Sequence, residues 1–209
     1  MFPTTLLTLL TTLLPLATPA ALKPFPPSPP SPLANYTLIP LTWEARPYPW
    51  APPVLIQGTI EDVVLSMLAL NPQYLDNLTH HVPPPPDDEK TKTLASLDYR
   101  SHYCFGDLPL CSQTHTYMGA VYLSRLDGQP KAGPGPGECA RVSCEWNSGI
   151  TWCNDNDREV TLDSWRMIAD AAWFIADHCT QGSERNPKTS GQIFYTTGWS
   201  TMVHGGMRC

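Results

Sequence analysis

Cys139-Ala-Arg-Val-Ser-Cys144-Glu-Trp146-Asn-Ser-Gly149-Ile150-Thr-Trp152-Cys153-Asn-Asp-Asn156 is the stretch on which the fold of this chain turns. Three of the chain's seven cysteines lie within the fifteen residues from Cys139 to Cys153. Apolar and polar residues tend to alternate on either side of Trp146-Asn-Ser-Gly149, and Asn and Gly suit a tight turn. This predicts a strand over 139–144, a reversal, and a return strand over 150–153. Whether the loop holds two or three residues decides which cysteines face the core, because a one-residue slip turns every side chain to the other face.

Helices flank the hairpin on both sides. Ser112 is placed to cap a helix running to about Leu126, with Met118, Val121, Tyr122 and Leu123 inward and Asp127-Gly128 ending it. Residues 131–137, with three glycines and two prolines, predict a loop. Over 162–179, Leu162, Trp165, Ile168, Ala169, Ala172, Ile175 and Cys179 share one helical face. Asp163 and His178 sit where the helix dipole favours an anion and a cation. Strands follow at 191–197 and 201–204, with Gly198 at the bend. The order helix, strand, strand, helix, strand, strand predicts an α+β, two-layer sandwich: a four-stranded, mainly antiparallel sheet with two helices on one face. The other face must be short, or shielded by the N-terminal arm or the helix near 59–70.

Composition changes before this domain. Nineteen of the 24 prolines precede residue 87. Residues 24–32 read as extended polyproline II, and 82–92 as a stiff, then charged, linker. Between them, Thr59 and Asp62 form a capping-box pattern, and Ile60, Val63, Val64, Met67 and Leu68 recur at helical spacing until Asn71-Pro72. The expected organisation is a signal peptide at 1–20, a Pro-rich, low-order extension at 21–98 with one amphipathic helix, and a cysteine-rich α+β domain at 99–209. So short a helix is marginal alone in water, so it docks on the domain or awaits a partner.

The first twenty residues supply the compartment. A Leu run broken by Thr ends at Thr18 and Ala20, the small residues a signal peptidase prefers. The run is shorter than the ~20 apolar residues of a membrane span. In a secreted chain, Cys104, Cys111, Cys139, Cys144, Cys153, Cys179 and Cys209 are disulfide candidates. Their number is odd, which leaves one thiol over or pairs it with another chain through an intermolecular disulfide. No Cys-x-x-Cys pair and no ligand-spaced His suggests a metal site. Asn35 and Asn77 head glycosylation sequons.

At this point a family pattern becomes visible. Tyr122-Leu-Ser-Arg125, the run from Gly135 through Cys139, Arg141, Cys144, Asn147, Ile150 and Trp152-Cys153 to Asn156, then Ile168-Ala-Asp170, Cys179, Gly191-Gln192, Phe194, Trp199 and Cys209 resemble the small secreted cysteine-rich proteins of filamentous fungi. The resemblance covers residues 104–209. It is distantly similar to necrosis-inducing effectors and killer-toxin-like α/β sandwiches. It implies an extracellular, effector-like role and brings no catalytic residues with it.

The residues themselves offer few chemical constellations. Asp155, Asp157 and Glu159 alternate, but the Gly and late Glu of a helix–loop–helix calcium loop are missing, and a turn capped by Asn and Asp side chains accounts for the run. Ser143, Ser148, His178 and His204 include no nucleophile elbow, and His80-His81 falls in the linker. Of the five tryptophans between 146 and 199, most suit a core. Trp146 in a turn and Trp173 on a helix flank, with Asp155 and Asp157, are the candidate binding surface. A net charge of −6 with scattered Lys and Arg argues against nucleic acid and anionic membranes as partners. The expectation is a secreted, non-enzymatic effector or toxin-like protein that binds a host or competitor component, either a protein or a carbohydrate, with no cofactor. A secreted hydrolase with an unrecognised site and a carbohydrate- or cell-wall-binding module are the alternatives.

Overall fold

The computed structural model describes residues 36–79 and 98–209. The stretches read as a signal peptide at 1–20, as polyproline II at 24–32 and as a linker at 82–92, with Asn35 and His80-His81, lie outside the described residues. Asn77 falls in a helix, but its side chain lies outside them too. The first segment forms β1 (Thr37–Ile39), β2 (Thr42–Ala45), β3 (Val54–Gln57), α1 (Ile60–Leu70) and α2 (Tyr74–Thr79). The second runs β4 (Tyr99–Cys104), β5 (Cys111–Ser112), α3 (Gln113–Ser124), β6 (Lys131–Ala132), β7 (Glu138–Glu145) and β8 (Ser148–Asn154). It continues with β9 (Val160–Thr161), α4 (Arg166–His178), β10 (Thr180–Ser183), β11 (Asn186–Thr189), β12 (Gly191–Tyr195) and β13 (Trp199–His204).

The class is α+β, but the expected four-stranded, two-helix layout is too small. The main sheet has six strands in the order β1-β7-β8-β13-β12-β4. Its central four are the four strands read from the sequence. β4 pairs antiparallel with β12 at one edge, and β1 pairs parallel with β7 at the other. Four helices are described: the two expected in the sandwich, the one expected near 59–70, and α2. Small ladders β10-β11-β5, β2-β3 and β6-β9 complete the topology.

The hairpin loop proves to be two residues long. Trp146 and Asn147 both take positive φ, 46° and 59°. This is the left-handed pair whose twist matches that of antiparallel strands. The pairing sets Cys139 opposite Cys153 and Ala140 opposite Trp152, and a register shift between Arg141 and Ser143 absorbs Val142 as a bulge. Ala140, Val142, Ile150 and Trp152 thus join the core under the helices, while Cys139 and Cys153 pack with Leu108 and Met202 in a separate cluster. α3 comes close to β7 because Gly119 meets it: a Cβ there would stand 3.0 Å from that of Ser143 and closer still to its hydroxyl.

α4 begins later than its periodicity predicts. Leu162 donates its N–H to the Pro130 carbonyl, and Val160–Thr161 pairs with β6, so this backbone is hydrogen-bonded to a neighbouring loop and cannot start the helix. The same pairing puts a short strand inside the expected Gly/Pro loop.

Residues 36–79 do not form a separate low-order arm. The predicted α1 is present, and its Asp62 carboxylate accepts the Thr59 N–H at 2.8 Å. Ile60, Val63, Val64 and Met67 join one hydrophobic cluster with Val142, Trp165 and Ile168. Trp43 stacks on Trp165 with ring centroids 4.2 Å apart and donates to the Gly58 carbonyl at 2.7 Å. Glu61 accepts from the Ser143 hydroxyl and from the Cys144 N–H. The cluster therefore crosses the expected boundary at 98/99. α1 lies on the helix face and does not shield the other side of the sheet. There, Leu108 and Tyr36 pack on the Cys139–Cys153 pair, and Met207 lies against Gly149.

Full burial of each α1 anchor is worth about 1.5–3 kcal/mol. Met67→Ala is expected to lower stability in urea unfolding by about 2–5 kcal/mol, whereas Leu65→Ala, on the exposed face of α1, should change it by less than about 0.5 kcal/mol. Equal, near-zero effects would mean that α1 is not docked.

Candidate functional site

Six of the seven cysteine candidates pair: Cys104–Cys179, Cys139–Cys153 and Cys144–Cys209. Cys111 is left over and is 2% exposed. Its thiol points at the Thr189 carbonyl, 3.2 Å away, and burial pushes its pKa up. Of the two alternatives for the odd cysteine, the folded chain shows the left-over thiol, and this sulfur is covered.

Two of the three disulfides brace one hairpin. Cys139–Cys153 ties β7 to β8 across the sheet's outer face, and Cys144–Cys209 anchors the C-terminal tail two residues before the turn. The tail is held further by Met207, whose N–H donates to the Asn147 side-chain oxygen at 2.9 Å. Ser148 donates to the Trp146 carbonyl and accepts the Ser112 N–H, which locks the turn to the start of α3. Trp146 projects from this frame and is 77% exposed. A bulky side chain at positive φ is an outlier, and strain of this kind clusters where a residue is presented for a purpose.

One polar ring accompanies the indole, and a carboxylate precedes it in the chain. The His115 ring lies 6.2 Å from it, centroid to centroid. Glu145, its chain neighbour, lies on the same strand face as Ser143, where α3 crosses. His115 Nδ1 and Glu145 Oε2 are both covered and without a hydrogen-bond partner. The sequence reading missed both. His115 lies thirty residues before Glu145 and comes beside Trp146 because Gly119 lets α3 settle on β7, which no local pattern announces.

The other binding candidates do not join Trp146. Trp173 is 1% exposed and packs beneath the Arg166 guanidinium, 5.5 Å from its ring centroid, so its placement on an exposed flank is corrected. Asp155 and Asp157 follow the far end of β8, seven residues long, or about 23 Å from the tip at ~3.3 Å per residue. Asp155 is half-buried, and desolvation raises its pKa against a lowering hydrogen bond from Ser200. Asn154 donates to the Gly133 and Arg158 carbonyls, and Asn156 to those of Thr197 and Gly198. The Asn-Asp-Asn run is thus a turn held by its own side chains. Among the described residues no group of three His, Cys, Asp or Glu is placed to hold a metal ion.

The serines and histidines are likewise dispersed. Ser143 is engaged by Glu61, His178 stacks on Phe174, and His204 lies 3.5 Å from Thr151. Two open depressions mark the surface. One of about 580 Å³ is lined by Arg158, Glu159, Asp163 and Thr197, and one of about 260 Å³ by Leu38, Thr59 and Arg141. No described helix is long and apolar enough to cross a membrane.

Fold and tip together define a cysteine-rich α+β protein that presents one aromatic ring on a doubly braced hairpin. Family models, curated proteins and solved structures give no match to this chain.

Two measurements follow from this geometry. Glycine adopts positive φ without penalty, so Trp146→Gly should keep global stability within about 1 kcal/mol of the original; a larger loss would mean that the indole is structural. His204 is buried, and desolvation, with a smaller push from Arg141, lowers its pKa, while its bond to the Gly205 carbonyl opposes this. The folded chain then binds this proton less tightly than the unfolded chain, so the stability due to neutral His204 is complete above the ordinary value of 6.5 and lost as pH falls below it. Thermal unfolding between pH 7 and 5 should show this loss, and His204→Gln should reduce it.

Proposed function

We propose that this chain is a secreted, non-enzymatic binding protein of the effector or toxin-like kind, acting outside the producing cell on a component of a host or competitor. The observation that carries this reading is Trp146, 77% exposed on a hairpin held by two disulfides. A large aromatic ring fixed in water has little to gain from the fold and much to offer a partner. Three disulfides suit an oxidising, extracellular setting, in keeping with the leader-like first twenty residues. The resemblance to small secreted cysteine-rich fungal proteins points the same way. A secreted hydrolase is the second reading, and its support is the depression of about 580 Å³, whose lining includes both Glu159 and Asp163.

Purified protein infiltrated into plant tissue, or added to competing microbes, should cause a dose-dependent response that Trp146→Gly weakens at least tenfold. Absence of response at every dose, with no fitness loss in a deletion strain, would overturn the proposal. Sugar release from a polysaccharide, lost in Glu159→Gln, would favour the hydrolase.

A further inference from the structure

We infer that the Trp146 tip is a carbohydrate contact site that takes one pyranose ring of a β-linked glucan or N-acetylglucosamine chain. The inference rests on the proposed extracellular binding role and names the ligand for the same tip. Sugars of this class carry equatorial substituents, which leave a flat C–H face to lie on an indole while the hydroxyls project from the ring's edge. The tip offers both halves of that contact. Trp146 supplies a 77% exposed aromatic platform. His115 and Glu145 bring an imidazole nitrogen and a carboxylate oxygen that have no hydrogen-bond partner in the fold. Covered polar atoms left unpaired are a standing cost, and a ligand hydroxyl reached by rotation of either side chain removes it.

The shape of the tip favours a sugar over a protein. A stable protein interface needs about 800 Å² from each partner. The tip is the end of a two-residue turn, with one fully presented ring. Rigidity suits a weak, small ligand, because little is lost in ordering the site: the Cys144–Cys209 disulfide, the Asn147–Met207 bond and the Ser148–Ser112 bond already hold the turn.

The test titrates the ¹⁵N-labelled full chain with hexamers of N-acetylglucosamine, β-1,4-glucose and β-1,3-glucose, followed by amide chemical shifts. At least one hexamer should shift residues 145–148 and His115 saturably, and the choice among the three separates chitin-like from glucan sources. Trp146→Gly should weaken binding at least tenfold, Trp146→Tyr should restore most of it, and Glu145→Gln should weaken it several-fold. No shift at the tip with any hexamer, or equal affinity in Trp146→Gly, overturns the inference. A tissue response that depends on Trp146 without any glycan binding overturns the glycan and leaves the extracellular role standing. Glycan binding at the tip with a response indifferent to Trp146 supports the glycan and counts against the effector role at this site.

Discussion

The antiparallel register of β7 against β8 is the constraint on which the rest depends. Setting Cys139 opposite Cys153 and Ala140 opposite Trp152 assigns one face of the hairpin to a disulfide and the other to the core. The bulge after Arg141 then turns Ser143 toward the helices, where Gly119 and Glu61 both meet it. From that one point α3 is seated, α1 is docked, and His115 is brought beside Trp146. A slip of one residue would expose Trp152, bury the disulfide among aliphatic side chains and dismantle the tip.

The two ends of the hairpin serve different purposes. At the far end, Asn154 and Asn156 spend their side chains on backbone carbonyls, so the polar sequence that most invites a metal or catalytic reading is consumed by architecture. At the near end, Trp146 faces solvent at positive φ, with the His115 ring beside it. Within a domain this well packed, that contrast directs attention to the tip.

Much of this was legible because periodicity and turn chemistry are local. The hairpin, α1 with its Thr59–Asp62 cap, the Ser112 cap of α3 and most of α4 follow from residue spacing alone. The edges were not. Tyr99–Cys104 is exposed along almost its whole length and shows no alternation to read, and Thr37–Ile39 is three residues in a proline-rich stretch. Asn186–Thr189 contains Pro187, which argues against a strand, yet it sits between β10 and β5. Such strands are specified by what they pair with. The same limit explains the site: Trp146 could be singled out as a turn residue, whereas Trp173 on its helix looked equally free until the layer above it was known, and His115 with Glu145 has no signature at all.

The disulfides all join residues of the second segment, and among the described residues, 36–79 are held to it by packing, by the β1–β7 ladder and by hydrogen bonds such as Ser143 to Glu61, a separation of 82 residues. Synthesis runs from the N-terminus, so α1 emerges with four apolar anchors and no surface to receive them until β7 has followed. Contacts this distant in sequence close slowly, and exposed apolar faces invite aggregation meanwhile. Oxidative pairing cannot capture the early segment at any stage, since it carries no cysteine. Yield of the intact protein therefore depends on how long α1 can be kept soluble before its dock exists, a matter of chaperoning and timing in the producing cell rather than of final stability.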